Sequence, residues 1–149
     1  MKLALAQLNP VIGDLHGNAE KIFEACKEIK NIDVDLLITP ELSLIGYPPK
    51  DLLFNPRLFE EEKEVLNKLS KRLSNLSGSL SILIGIAEPT VDIEIPKLYN
   101  SVVILEKGTW RTIARKQLLP TYDVFDEKRY FRSAEHSSCL LYTSDAADE

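Results

Sequence analysis

The sequence predicts an α/β fold, with helices packed against a sheet. Two observations support this. Between Leu3 and Thr39, a short apolar strand, a helix with an apolar stripe and a second apolar strand follow one another, the order of a crossover unit. Further along, two strands are separated by Lys107-Gly108, which indicates a hairpin. At 149 residues, the chain fits one domain.

The first half supplies two strands and two helices. The run Leu3 to Leu8 predicts a buried strand, and Asn18 is predicted to cap the helix that follows. The apolar stripe of this helix consists of Ile22, Cys26 and Ile29. Cys26 is therefore expected to be a core thiol, because a reactive thiol requires an electropositive, partly exposed site.

The remaining elements follow in order. The predictions are a strand over Asp35 to Thr39, a loop over Gly46 to Pro49, a helix from about Pro56 to Leu76, and strands over Ser81 to Ala87, Tyr99 to Leu105 and Trp110 to Lys116. The buried face of the longer helix is predicted to contain Val65, Leu66, Leu69 and Leu73. The run Glu60 to Glu62 is predicted to be a solvated first turn.

Composition argues against several classes of function. The net charge is -5 and the 18 Lys and Arg residues are scattered, so no basic patch for nucleic acid is expected. No apolar stretch approaches the ~20 residues of a membrane span. The two cysteines show neither metal-ligand nor disulfide spacing, which favours a reducing, cytoplasmic setting and predicts no metal site.

Two charged residues at predicted strand ends are candidates for chemistry. Glu41 follows a strand and Pro40, and in open α/β sheets sites gather at the carboxyl ends of strands. Lys116 ends the last predicted strand, where an ammonium can hold an oxyanion. Taken alone, Glu41 is better explained as a solvent-facing loop glutamate, and Lys116 as an ordinary surface lysine. The stretch Tyr122 to Phe131 carries four aromatic rings among charges, which predicts packing over a cavity or a partner.

The last eleven residues are expected not to be native. From Cys139 the chain has the sequence Cys-Leu-Leu-Tyr-Thr-Ser-Asp-Ala-Ala-Asp-Glu, which resembles one reading frame of a transposase adapter used in preparing sequencing libraries. The alternative is a natural, weakly structured terminus. The prediction is a partial domain over residues 1–138 and a tail over residues 139–149.

Three segments resemble motifs of the nitrilase (carbon–nitrogen hydrolase) superfamily. They are Pro40-Glu41-Leu42, Leu98-Tyr99-Asn100-Ser101 and Arg115-Lys116-Gln117-Leu118-Leu119-Pro120. The resemblance implies that Glu41 is a general base, that Lys116 stabilises a tetrahedral intermediate and that a cysteine is the nucleophile. It also implies an αββα sandwich, of which this chain holds the N-terminal portion only.

Two longer segments narrow the resemblance to the glutaminase domain of NAD synthetases. They are Leu44 to Leu53, which includes Tyr-Pro-Pro-Lys-Asp-Leu-Leu, and Lys116 to Phe131. The resemblance implies that Tyr122 contacts L-glutamine. It implies a fragment of a glutamine-hydrolysing NAD(+) synthase (EC 6.3.5.1), homo-oligomeric at full length, whose absent synthetase domain uses ATP and Mg. The family nucleophile lies in an Ile-Cys-Glu-Asp type motif that this sequence does not contain, so the chain is expected to be inactive.

Two other functions stay open at this stage. A stand-alone amidase or nitrilase of the same superfamily would have the same sheet, but it would not explain the two longer segments. A non-catalytic α/β nucleotide-binding module is disfavoured, because no Gly-x-Gly-x-x-Gly follows the first strand.

Overall fold

The computed structural model describes residues 1–76, 80–90, 98–123 and 125–135. Its strands are β1 (Leu3–Leu5), β2 (Leu36–Ile38), β3 (Ser81–Pro89), β4 (Leu98–Glu106) and β5 (Thr109–Arg115). Its helices are α1 (Leu15–Ile29) and α2 (Pro56–Leu76), with short 3-10 helices at Lys50–Phe54 and Glu127–Arg129. The predicted bounds of α2 are confirmed. Strand β1 is shorter than the apolar run that predicted it, and Leu3 and Leu5 are exposed rather than buried.

The five strands form one mixed sheet in the order β1-β2-β3-β4-β5. The pairs β1–β2 and β2–β3 are parallel, as the predicted crossover requires. The pairs β3–β4 and β4–β5 are antiparallel. The turn between β4 and β5 is made by Lys107 and Gly108, both at positive φ, which confirms the predicted hairpin.

Helices α1 and α2 pack together over one face of the sheet. Alternate residues of the central strands, such as Ile84 and Val103, join the helical residues in a single buried core. Ile22 and Cys26 of the predicted stripe are fully buried. Burial raises the pKa of the Cys26 thiol to about 12, so the thiolate is strongly disfavoured and the core-thiol prediction is confirmed.

Two local predictions were wrong. The side chain of Asp14, not Asn18, caps α1, by accepting a hydrogen bond from the Gly17 N–H at 2.9 Å. Asn18 is buried inside α1, where its amide bonds to both backbone groups of Val11 and to the carbonyl of Leu44. Glu62 is also buried rather than solvated, because it lies on the inner side of α2.

Some predictions fall on residues that the structure does not describe. The tail from Cys139 lies outside the described residues. In the described part, no helix is both long and apolar enough to cross a bilayer.

Candidate active site

Glu41 lies in a loop that leaves the carboxyl end of β2. The loop is tied to β3 on both sides of Glu41: the Thr39 N–H donates to the carbonyl of Leu83 at 3.1 Å, and the Leu44 N–H donates to the carbonyl of Gly85 at 3.3 Å. The first bond continues the β2–β3 pairing by one residue beyond the end of β2, and the second ties the far side of the loop to β3. They hold Glu41 at the sheet edge where strand ends gather polar groups.

Lys116 follows β5 directly and faces Glu41. Its backbone N–H donates to the carbonyl of Asn100 at 2.8 Å, which extends the β4–β5 ladder by one residue. Its ammonium donates to Oε1 of Glu41 at 2.8 Å. The side-chain amide of Asn100 donates to the same oxygen at 2.5 Å. The structure therefore brings together the two predicted catalytic residues and adds an amide that orients the carboxylate.

A second carboxylate completes the cluster. The Lys116 ammonium also donates to Oε1 of Glu127 at 3.0 Å, and it lies 3.0 Å from Oε2. The hydroxyl of Tyr47 donates to Oε1 of Glu127 at 3.3 Å. The Glu127 side chain is only 6% exposed, compared with 45% for Glu41. Lys116 thus lies between a buried carboxylate and a half-exposed one.

The electrostatics of the cluster favour a charged lysine. Burial opposes the ammonium of Lys116, but its hydrogen bonds to Glu41 and Glu127 outweigh this effect and raise its pKa. Burial also raises the pKa of Tyr47, with further contributions from the negative charges of Glu127 and Glu41. Tyr47 therefore acts as a hydrogen-bond donor at neutral pH.

An open cavity of about 440 Å³ lies beside Glu41, Asn100 and Lys116. Its apolar walls include Leu83 and Val102, which point away from the helix-covered core. A carboxylate that can accept a proton and a cation that can hold a developing oxyanion therefore share one space. In the described ranges, no cluster of His, Cys, Asp and Glu side chains could hold a metal ion.

Tyr122 is not part of this cluster. Its ring packs edge-on against Phe125 at 5.7 Å between centroids, and the residue is 69% exposed. Among the described residues, no hydrogen bond joins Tyr122 to Glu41 or Lys116. The aromatic stretch does line a second cavity, of about 260 Å³, with three of its rings: Phe125, Tyr130 and Phe131.

Sequence reasoning missed Asn100, Glu127 and Tyr47 as members of the site. Each lies within a segment that carried the family resemblance, and this was the available signal. Local pattern alone does not single out Glu127 from its neighbour Asp126 as the residue that faces Lys116. The difference arises from the 3-10 helix Glu127–Arg129, which buries Glu127 and leaves Asp126 exposed.

Comparison with known proteins places the chain in a family. The Carbon-nitrogen hydrolase family matches residues 2–145, nearly the whole chain. The chain belongs to the carbon–nitrogen hydrolase family.

Within that family, the chain is similar to glutamine-dependent NAD(+) synthetases. It is 48% identical over 143 residues to the enzyme of Synechocystis sp., covering 94% of this chain and 25% of that protein. It is 37% identical over 135 residues to the enzyme of Thermotoga maritima, covering 91% of this chain and 22% of that protein. The chain thus spans about a quarter of the length of these relatives.

Solved structures show the same fold. The glutamine-dependent NAD+ synthetase of Acinetobacter baumannii superposes with a TM-score of 0.77 at 36% identity, covering 90% of this chain and 24% of that one. An amidase from Nesterenkonia sp. AN1 superposes with a TM-score of 0.69 at 20% identity, covering 91% of this chain and 50% of that one. The mixed sheet with its two helices is therefore part of the nitrilase fold.

Proposed function

We propose that this chain is part of a glutamine amidohydrolase domain that supplies ammonia for the ATP-dependent amidation of deamido-NAD. The 2.8 Å contact between Glu41 and Lys116 is the observation that carries the proposal, because a base and an oxyanion holder must adjoin one space. The 48% identity to a glutamine-dependent NAD(+) synthetase supports the choice of substrate. The alternative, a stand-alone amidase, has weaker support, because the amidase from Nesterenkonia sp. AN1 is only 20% identical to this chain.

The roles of the side chains follow from their placement. Glu41 takes the proton of a cysteine thiol, and the thiolate attacks the amide carbon of L-glutamine. Lys116 holds the oxyanion of the tetrahedral intermediate. Glu41 returns the proton to the departing ammonia, and water then releases glutamate. Asn100 orients the carboxylate of Glu41 through its 2.5 Å hydrogen bond.

Glu127 has a separate role in this scheme. Its buried carboxylate forms a second ion pair with the Lys116 ammonium, so that the cation is shared and does not pair with Glu41 alone. Tyr122, exposed beside Phe125, is proposed to close over the glutamine when substrate binds.

The chain as given is proposed to be inactive. Cys26 is fully buried with a raised pKa, and Cys139 falls in the predicted non-native tail. ATP and Mg would bind a synthetase domain outside this chain, and the full protein would be a cytoplasmic homo-oligomer. A thiol-dependent domain is suited to that reducing compartment.

Glutamate release from L-glutamine tests both parts of the proposal. The 149-residue chain should release none, and turnover that Glu41→Ala abolishes would overturn its predicted inactivity. A protein expressed from the coding sequence that continues past Ser138 should release glutamate, and Glu41→Ala and Lys116→Ala should each remove that activity. A longer protein that hydrolyses simple aliphatic amides but not glutamine would instead support the stand-alone amidase.

A further inference from the structure

Gly85 lies in β3 directly against the loop that carries Glu41. A Cβ atom built on Gly85 would lie 2.4 Å from the backbone nitrogen of Leu42, 3.0 Å from the carbonyl carbon of Glu41 and 3.0 Å from the carbonyl oxygen of Pro40. All three are backbone atoms, so no flexible side chain can rotate out of the way. The shortest contact is about 1 Å below the 3.4 Å at which ordinary van der Waals contact begins.

Conformational freedom does not explain the glycine. Gly85 is not among the residues at positive φ, so an L-residue could adopt its backbone conformation. Only the approach of the loop requires the missing side chain. In a strand interior, such a glycine often marks a site where another backbone comes close.

We propose that Gly85 is a positioning residue for Glu41: its missing side chain lets the loop lie flat on β3, which sets the carboxylate within reach of Asn100 and Lys116. The proposal rests on the proposed function in one respect, the role of Glu41 as general base.

The sheet register shows why the Glu41 loop must lie close to β3. Gly85 pairs with Val102, and Ala87 pairs with Asn100, so β3 separates the Glu41 loop from the strand that carries Asn100. The Glu41 carboxylate reaches across β3 to its partners. A loop pushed away by a methyl group would move Glu41 by roughly the missing 1 Å, a displacement that can cost about a hundredfold in rate.

The position of Glu41 can be measured without catalysis, because Glu41 is one of the two carboxylates that raise the pKa of Lys116. In the 149-residue chain with ¹³C-labelled lysine, the Cε resonance of Lys116, assigned by its loss in Lys116→Met, is titrated against pH. Glu41→Gln shows how far the pKa falls when the carboxylate charge is removed. In Gly85→Ala, we expect the pKa to fall by at least half of that amount.

Gly108→Ala is the matched control. Gly108 lies in the β4–β5 turn at φ +78, where, among the described residues, an added Cβ meets the side chain of Ser74 alone, at 3.2 Å and 3.5 Å. This variant is strained but remote from Glu41, so the pKa of Lys116 should stay at the parent value. If the loss of any glycine changed the pKa of Lys116 through a general structural effect, the pKa would change equally in Gly85→Ala and Gly108→Ala.

Two results would overturn the proposal. One is a folded Gly85→Ala chain in which Lys116 keeps its parent pKa. The other is a Gly85→Ala chain that stays unfolded even in trimethylamine N-oxide, which favours compact states, because Gly85 would then be needed for the fold itself. A pKa that falls as expected, combined with a longer protein that does not hydrolyse glutamine, would remove the proposed function but leave the positioning role intact.

Discussion

Lys116 donates to Glu41 at 2.8 Å although 75 residues separate them in the chain. The contact forms because Lys116 extends the β4–β5 ladder by one residue, and because Glu41 lies in a loop that backbone hydrogen bonds of Thr39 and Leu44 hold against β3. Glu127 then approaches the same ammonium from a 3-10 helix. The cluster is therefore built by pairing that extends outside the regular strands.

Lys116→Met should destabilise the chain. The buried carboxylate of Glu127 would lose its cation and, of its described partners, keep the hydroxyl of Tyr47 alone, so the free energy of unfolding should fall by about 1–3 kcal/mol. Urea denaturation at pH 7 measures this. The double variant Lys116→Met/Glu127→Gln should recover part of the loss, because a neutral amide is cheaper to bury. Equal losses in the single and double variants would contradict the account.

Glu62→Gln should change how stability depends on pH. Glu62 is 2% exposed, and its one described hydrogen bond is a long contact, 3.5 Å, from the Ala87 N–H. Burial raises its pKa from 4.5 to about 8, an effect that the bond to Ala87 only partly opposes. Between about pH 4.5 and pH 8, the Glu62 carboxyl is therefore protonated in the folded state and ionised in the unfolded state. The stabilisation from this proton is full below about pH 4.5 and is lost as the pH rises towards 8.

The measurement is the free energy of unfolding of parent and variant at several pH values between 5 and 8. The advantage of Glu62→Gln over the parent should grow by about 1 kcal/mol per pH unit across that range. Glu60→Gln, which alters an exposed carboxylate of the same acidic run, is the matched control. A difference for Glu62→Gln that does not change with pH would show that the carboxyl is already ionised.

The fold followed from local patterns more completely than the site did. The stripe of Ile22 and Cys26 and the Lys107-Gly108 turn depend on spacing and backbone preference, which the sequence contains. The burial of Glu62 could not be predicted in this way. A run of three glutamates is expected to be solvated unless the face of α2 that packs against β3 is already known. Asn18 was misassigned for the same reason: its partners Val11 and Leu44 are brought together only by tertiary packing.

The candidate pair, Glu41 and Lys116, was predicted from motifs, and the residues that surround the pair were not. Glu41 and Lys116 each stand in a short ordered motif that carries the family resemblance. Asn100 and Glu127 belong to the cluster because of the direction of their side chains. That direction is set by the register of β4 for Asn100 and by a short 3-10 helix for Glu127. Sequence patterns of period 2 or 3.6 identify strands and α-helices, but they do not show which strands pair or how a short 3-10 helix turns its side chains.

Leu5→Lys should reduce self-association. Leu5 lies on β1, one of the two edge strands of the sheet, and is 69% exposed. An exposed apolar edge strand invites pairing with another chain, and a charge there discourages it. Light scattering across a concentration series should show a lower apparent mass for the variant than for the parent. Stability should change by less than about 0.5 kcal/mol, as expected for an exposed position.

Ala4→Lys is the control on the same strand. Ala4 is partly buried against the core, so its replacement should destabilise the chain and should not lower the apparent mass. If Leu5→Lys and the parent associate equally, the β1 edge is not the surface through which chains meet.

Gly46→Ala should cost more stability than Gly13→Ala. Both glycines have positive φ, +86 and +78, so both substitutions carry backbone strain of about 1–2 kcal/mol. They differ in what an added Cβ meets. At Gly46 it would lie 2.7 Å from the Cα of Ile12, whereas at Gly13 it would lie 3.1 Å from the flexible end of Leu52. Backbone cannot yield as a side chain can, so overpacking should add about 1–3 kcal/mol at Gly46 alone.

Urea denaturation of the two variants under one condition gives this difference directly. Gly46 precedes Tyr47, which donates to Glu127, so displacement of the loop should also weaken that 3.3 Å contact. The pKa of Tyr47, followed by its Cζ resonance in ¹³C-labelled tyrosine and assigned by the loss of that resonance in Tyr47→Phe, should therefore move towards its ordinary value in Gly46→Ala and stay raised in Gly13→Ala. Equal unfolding free energies in the two variants would mean that positive φ, and not contact with Ile12, is the reason for glycine at position 46.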